Sequence, residues 1–300
     1  MNCNRFLLAL SLMILIFGVS TSCSNSGSNG LEDSLNSKKM NLKISKEDLD
    51  LLIQSFPSPI ETSLVIKNAG NPFSSSILIP TKNLERFGSN YDKALAMGAF
   101  GGDMGYINIY EKSFIAMDYL GAIRMLSKDL EIDQFFDFDR MISMAKNSSN
   151  ADSLLQMSTE SFNKMEAHFR NKGRNELSIL IVLGTWLEGS YIISNLAKSK
   201  MTDEMKNRVA EQKESVEKLA GLLKKAESDP YFLKLSSSMS GLKKLYDNIK
   251  IEQIIREPEM QEINGELIFV DKSETKIHAT KNQINAVIDA TVSMRDELLK

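Results

Sequence analysis

Residue types that most often carry chemistry are scarce in this chain. Its 300 residues include two cysteines and two histidines. Neither His168 nor His278 stands at the Glu-x-x-His or His-x-x-x-His spacing that builds a metal site in a helical bundle. No serine lies in a Gly-x-Ser-x-Gly elbow, and no glycine-rich loop follows a strand pattern. We therefore expect no metal, no cofactor and no catalytic residues.

An excess of positive charge is also missing. The chain carries 39 acidic and 36 basic residues, a formal net charge of −3, and its lysines and arginines are not clustered. Nucleic acids and anionic lipid surfaces are bound through concentrated basic patches, so neither kind of partner is expected. Apolar side chains make up 42% of the sequence, which is enough for a sizeable core.

The start of the chain has the pattern of a lipoprotein signal. A basic residue, Arg5, precedes an apolar run from Phe6 to Val19, and small residues lead into Cys23, although Ser20 stands where leucine is usual. The run of about 14 residues is short for a bilayer, which needs about 20; a membrane helix left in place is the alternative. We predict a signal peptide over residues 1–22 and lipid attachment at Cys23.

The rest of the chain divides into a tether and a folded part. Residues 23–40 are rich in serine, asparagine and glycine, which predicts a flexible tether. Residues 41–300 have no proline- or glycine-rich linker, so we predict a single helical domain. Because Cys3 would leave with the signal and Cys23 would carry lipid, the mature protein would have no thiol for disulfides, metal ligation or nucleophilic catalysis.

A helical period of apolar residues, with capping residues in front, recurs along the folded part. It predicts short helices near residues 45–55, 58–70 and 137–145 and longer helices over residues 90–110, 113–130, 151–172, 177–196, 202–223, 230–248 and from 280 onward. Near the C-terminus the period changes: Leu267–Val270 and Ile277–Ala279 read as two short strands, with Asn264 and Gly265 as a turn signal before the first. The expected fold is all-α, a helical bundle with a small C-terminal two-stranded β appendage.

Glycines and acids inside two apolar helices are the most unusual feature. Each interior glycine costs a helix about 1 kcal/mol relative to alanine, so a stripe of glycines predicts close approach by another backbone or by a ligand. The segment around Glu188 also resembles the segment around Asp103, with a one-residue shift in spacing. An internal duplication of a helical hairpin would produce such a resemblance. The candidate ligand-binding or helix-packing residues are Gly98, Gly101, Gly102, Asp103, Gly105, Tyr106, Gly184, Trp186 and Glu188.

Two interpretations of Asp103 and Glu188 stay open at this point. A buried carboxylate costs several kcal/mol unless it is paired. The two acids either meet a cationic or hydroxylated ligand in a cleft between the helices, or they form buried ion pairs, with Arg124 as a candidate partner, or hydrogen bonds to tyrosines. In the second case the glycines serve only to let the helices cross tightly.

Several segments also carry a resemblance to a protein family: Ala94–Tyr110, Phe135–Asp139, Ser161–Met165, Gly184–Tyr191, Glu211–Lys213 and Asp229–Phe232. With these, the chain from Ile60 onward resembles a group of uncharacterised helical lipoproteins and exported proteins of the Bacteroidota. The resemblance implies a helical fold and the cell envelope, and it implies no mechanism. Surface-exported lipoproteins of that phylum tend to have acidic residues directly after the cysteine. Here the first acidic residues after Cys23 are Glu32 and Asp33, nine and ten positions on. This distance favours an outer-membrane anchor facing the periplasm.

The sequence as a whole favours a lipid-anchored envelope protein that acts as a non-catalytic binding or scaffold module. Its expected partners are the membrane, through lipidated Cys23, and other envelope proteins. The alternative is a periplasmic small-molecule or peptide receptor with a glycine-lined interhelical cleft around Asp103 and Glu188.

Overall fold

A computed structural model describes residues 45–56, 59–145, 151–256, 259–263, 266–270 and 274–299. The predicted signal peptide, Cys23, the predicted tether and the turn signal at Asn264 and Gly265 lie outside the described residues. The described residues are mainly helical, which confirms the predicted fold class. The helices are α1 Lys46–Gln54, α2 Pro59–Ala69, α3 Asn90–Ile109, α4 Ser113–Asp129, α5 Phe138–Ala145, α6 Ala151–Asn171, α7 Asn175–Ser199, α8 Asp203–Ala210, α9 Gln212–Lys224, α10 Pro230–Asp247 and α11 Lys281–Leu299.

Helix starts follow local hydrogen bonding that the sequence contains. Ser45 and Ser89 form capping boxes with Asp48 and Asp92, so each serine accepts from a backbone N–H and each aspartate accepts in return. Asp229 accepts from two backbone N–H groups at the start of α10, ahead of Pro230 at the first helical position. These contacts satisfy the amide groups that a helix start leaves without partners.

The centre of the fold is α7, which packs most extensively against α3. Of the described helices, α7 alone is both long enough and apolar enough to cross a membrane. However, 89% of its most apolar 18-residue window is buried by the rest of the protein. A core helix has this property. α4 lies beside α3, and α11 packs on α7, so both neighbours contribute side chains around the α3–α7 contact.

An irregular stretch, the connecting segment Asn71–Ser89, joins α2 to α3. It contains two short 3-10 helices, Ser75–Ile77 and Leu84–Arg86. Ile79, within this segment, is fully buried. Ile79 must therefore have its backbone polar groups satisfied inside the protein, although much of the segment is exposed.

The C-terminal β structure is larger than predicted. In the described part of the chain, four strands form two antiparallel pairs: β1 Lys250–Ile254 with β4 Glu274–His278, and β2 Glu259–Ile263 with β3 Glu266–Val270. The sequence prediction recovered β3 and only the last two residues of β4, Ile277 and His278, and missed β1 and β2. Both missed strands are rich in Glu, Gln and Lys, which are depleted in strands, so local propensity gives little signal.

The charged helix predicted from Thr202 is divided in two. α8 ends at Ala210 and α9 begins at Gln212, with only Glu211 between them. The Glu211 N–H is shared between the carbonyl groups of Asn207 and Val209, and ψ of Glu211 is −18°, a tightened turn within right-handed geometry. No glycine or proline marks this position, so the sequence contains no stop signal there.

Candidate functional site

Three of the candidate glycines let α3 and α7 touch through their backbones. A Cβ atom placed on Gly98 would overlap the Ile181 carbonyl oxygen, and one on Gly184 would overlap the Leu95 carbonyl oxygen. A Cβ on Gly102 would lie 3.0 Å from the Cβ of Glu188. Hydrogen is therefore the only side chain that Gly98 and Gly184 can carry without moving the helices apart.

The crossing is reciprocal. Gly98 faces Ile181, and Gly184 faces Leu95, so each glycine meets the residue three positions before the other. From Gly98 to Gly102 on α3, the neighbours on α7 advance from Ile181 to Glu188, so the helices run in the same direction through the crossing. The hydroxyl of Thr185 donates to the carbonyl groups of Gly98 and Ile181, each over 3.0 Å. Small residues at this spacing are typical of closely packed helices.

Gly101 and Gly105 do not take part in the crossing. Both are exposed; a Cβ on Gly105 would meet nothing within 4 Å, and one on Gly101 would only touch the Thr185 hydroxyl at 4.0 Å. The glycine stripe predicted from the sequence is thus divided between a contact face and an outer face.

Glu188 is held by Arg295 from α11. The carboxylate accepts from Nε and Nη2 of Arg295, each over 3.0 Å, in a two-pronged ion pair. The side chain of Glu188 is 0% exposed and that of Arg295 is 5% exposed. The guanidinium carbon also lies 4.1 Å from the centre of the Tyr191 ring. This pair fixes α11 against α7.

Asp103 lies in the same buried cluster and is also 0% exposed. Its Oδ2 accepts from the backbone N–H of Ile79 over 2.9 Å, while its Oδ1 is buried with no hydrogen-bond donor in the described part of the chain. Burial, and then the negative charge of Glu188, raise the pKa of Asp103 well above its usual range. Burial also raises the pKa of Glu188, although Arg295 opposes that shift.

These directions favour the protonated form of Asp103 over its ionised form. Two ionised carboxylates could not form a hydrogen bond with each other, because neither has a proton to donate. If Oδ1 of Asp103 carries a proton, Asp103 can donate it to the carboxylate of Glu188. The three side chains of the acid cluster, Asp103, Glu188 and Arg295, then have no net charge. A neutral, fully bonded cluster is the form that a protein interior tolerates.

Side chains around this cluster fasten the connecting segment. Tyr119 donates its hydroxyl to the carbonyl of Ile79 over 2.6 Å, so both polar groups of Ile79 are bonded, one to Asp103 and one to Tyr119. Tyr106 accepts from the N–H of Ser74 over 3.1 Å, and Tyr110 donates to the carbonyl of Asn71 over 2.8 Å. The candidate residues Asp103 and Tyr106 thus each accept from a backbone N–H of the connecting segment.

Trp186, the remaining candidate, lies away from the acids. Its indole N–H donates to Oε1 of Gln212 over 2.9 Å, and both side chains are buried. This bond ties α7 to the start of α9. The structure therefore brings Asp103 and Glu188 together in one cluster and places Trp186 outside it.

Arg124 is not the partner of either acid. It is exposed on α4 and lies 3.5 Å from Asp139 on α5. The partner is Arg295, which sequence reasoning did not single out, although a signal was present. Arg295 is four residues beyond Thr291 on the apolar stripe of α11 that contains Ile284, Val287 and Ile288, and a charge on a buried stripe needs a buried partner.

A metal centre finds no support among the residues that the structure describes, since no three or more His, Cys, Asp or Glu side chains there are grouped to hold an ion. His168 contacts the ring of Phe135, and His278 lies 3.1 Å from a carboxylate oxygen of Glu252. A surface crevice lies between α1, α6 and α7, lined by residues that include Leu49, Glu166 and Arg170, and no member of the acid cluster lines it.

Comparison of the chain with protein-family models, with curated proteins and with solved structures found no match.

Proposed function

We propose that this chain is a lipid-anchored protein of the cell envelope that acts as a non-catalytic binding or scaffold module. The observation that carries the proposal is the burial of the acid cluster. Asp103 and Glu188 are both fully buried, and Glu188 is paired with Arg295. A catalytic acid or a ligand-binding carboxylate must be reachable by the molecule it acts on.

The cluster has a structural use that accounts for its residues. It joins α3, α7, α11 and the connecting segment through hydrogen bonds and one ion pair. Such a network gives a rigid interior and leaves binding to the outer surface. On α4, Phe114 is 85% exposed and Met125, three turns further along the same helix, is 61% exposed. Exposed apolar side chains on one helix are the kind of contact that a partner protein buries.

A small-molecule receptor at the two acids has less support. It would need a path from solvent to the carboxylates, and the tight backbone contact at Gly98 and Gly184 closes the α3–α7 side of the cluster. A measured turnover, or ligand binding, that is abolished by Asp103→Asn or Glu188→Gln in a folded protein would contradict the proposal.

The anchoring part of the proposal is tested by fractionating cells that express the full-length chain. The chain contains two cysteines, so Cys3→Ala is a matched control for Cys23→Ala. We expect the unchanged chain and the Cys3→Ala variant in the membrane fraction and the Cys23→Ala variant in the soluble fraction, because acyl chains on Cys23 supply the anchor. Membrane association that survives Cys23→Ala would overturn lipid anchoring at this residue.

A further inference from the structure

The outward face of α4 carries two large apolar side chains. Its exposed stripe consists of Phe114, Asp118, Gly121, Met125 and Lys128, at alternating spacings of four and three residues. Any solvent-facing stripe of a helix has this spacing, but here Phe114 is 85% exposed and Met125 is 61% exposed. Apolar side chains that share an exposed face are the kind of surface that a partner covers. The spacing is also that of the positions through which two helices pack in a coiled coil.

The stripe is complementary to a reversed copy of itself. Two α4 helices that run antiparallel, with a two-fold axis midway between Asp118 and Gly121, place Phe114 of each copy opposite Met125 of the other. A methionine thioether against an aromatic ring is a favourable contact. The same register places Asp118 opposite Gly121, which has no side chain, so the carboxylate keeps room for water. A two-fold interface requires this kind of complementarity, because each copy contributes the same patch.

The charges at the two ends of the stripe match in the same register. Glu111 lies in the turn just before α4, Lys128 lies in the last turn of α4, and both are exposed. Each is three residues outside the apolar pair, so antiparallel helices bring Glu111 of one copy to Lys128 of the other. Asp129, which follows Lys128, is already paired with Lys93 over 2.8 Å. Parallel helices would instead place Glu111 beside its own copy.

From this self-complementary pattern we infer that α4 packs antiparallel against α4 of a second copy of this chain. The inference rests on the binding part of the proposed function, whose partner it names, and it does not depend on lipid anchoring. From Phe114 to Met125 the stripe is about 16 Å long, at about 1.5 Å per residue. A contact of this length is smaller than the roughly 1,200–2,000 Å² of stable interfaces, so the dimer is weak and forms only at high concentration.

Sedimentation velocity of the full-length chain in detergent, over roughly a hundredfold range of concentration, tests the dimer. The variant is Phe114→Lys, and the matched control is Leu233→Lys, at an apolar residue of α10 that is 48% exposed. Both side chains point to solvent, so neither change should disturb the fold. We expect a concentration-dependent dimer that Phe114→Lys weakens at least about tenfold, because a lysine would be desolvated there, and that Leu233→Lys leaves unchanged. A monomer at every concentration, or a dimer that both changes weaken equally, would overturn the inference.

Cross-linking tests the direction of the pairing, in a full-length chain that also carries Cys3→Ala and Cys23→Ala. In the antiparallel register, residue 118 lies about 4 Å along the helix axis from its own copy, whereas residue 128 lies about 25 Å from its copy. A short bifunctional thiol reagent should therefore link Asp118→Cys into a dimer and leave Lys128→Cys monomeric. Parallel helices would link both variants equally. Cross-linking of both, or of neither, would contradict antiparallel pairing through α4.

Discussion

Buried acids are costly, and the hydrogen bonds of each acid show how this protein lowers that cost. Glu188 accepts hydrogen bonds from Nε and Nη2 of Arg295, and Asp103 accepts one from the backbone N–H of Ile79. A proton on Asp103 leaves one negative and one positive charge in the cluster, which are paired. The unusual pKa of Asp103 is thus explained by structure alone, although raised carboxyl pKa values are also common at active sites.

The raised pKa of Asp103 predicts how stability depends on pH. A carboxyl group whose pKa is higher in the folded than in the unfolded protein binds its proton more tightly when folded. The free energy of unfolding should therefore fall as pH rises from about 4, the usual pKa of an unfolded aspartate, toward the raised pKa of folded Asp103. Asp103→Asn should remove this decline, because an amide can accept from Ile79, donate to Glu188 and does not ionise.

Denaturant unfolding at a series of pH values measures this effect. The matched control is Asp118→Asn, since Asp118 is exposed on α4. We expect Asp103→Asn to gain stability relative to the unchanged protein as pH rises from 5 to 9, and Asp118→Asn to follow the unchanged protein throughout. Parallel stability curves for the unchanged protein and Asp103→Asn would show that Asp103 does not hold the proton.

At the scale of elements, the contact between α3 and α7 depends on two glycines. Gly98→Ala places a methyl group on the Ile181 carbonyl oxygen, so the helices must separate and the packing around them must loosen. We expect a loss of about 3 kcal/mol or more in the free energy of unfolding. Gly105→Ala lies on the exposed face of the same helix and should instead gain about 0.5–1 kcal/mol from helix propensity.

Thermal or denaturant unfolding of the two alanine variants checks this pair. Both add the same methyl group to α3, seven residues apart, so they differ mainly in what the methyl group meets. A small effect of Gly98→Ala, close to that of Gly105→Ala, would contradict the backbone contact.

The sequence predicted most helices because caps and periodicity are local. Ser45, Ser89 and Thr202 each accept from a backbone N–H three residues on, as their positions in the sequence suggest. It also pointed to the α3–α7 contact, because interior glycines at spacings of three and four have a cost that close packing offsets. Which glycines face inward was not readable, since Gly101 and Gly105 fit the same spacing and face outward.

The partners of the buried acids were harder to predict because they come from distant parts of the chain. Arg295 is 107 residues from Glu188, and the N–H that Asp103 binds belongs to Ile79, in a segment without regular periodicity. A backbone donor has no side-chain signature, so sequence reasoning could not have named Ile79. Arg295 was detectable as a charge on the apolar stripe of α11, but several acids could have been its partner.

At the scale of the whole molecule, the acid cluster links parts of the chain that are far apart in sequence. It connects the segment after α2, two central helices and the last helix, and Tyr119 on α4 donates to the carbonyl of Ile79, the residue whose N–H Asp103 accepts. Disturbing the cluster should therefore affect the stability of the whole fold. A binding site would behave differently, because ligand-binding groups usually cost stability in the free protein.

Thermal unfolding of the full-length chain in detergent, with Glu188→Gln and the control Glu166→Gln, tests the central claim most directly. Each protein is measured with and without a small-molecule extract of bacterial cells. Glu166 pairs within one helix with Arg170, whose side chain is 35% exposed, so Glu166→Gln should cost clearly less than Glu188→Gln. Glu188→Gln removes the carboxylate that binds Nε and Nη2 of Arg295 and leaves that buried guanidinium only the weaker contact with Asp296, 3.5 Å from Nη1, so it should cost up to about 3–5 kcal/mol. We expect a much lower midpoint for Glu188→Gln and no shift with the extract for any of the three proteins. An unchanged midpoint for Glu188→Gln, together with stabilisation by the extract of the unchanged chain but not of Glu188→Gln, would show that the acids face a ligand.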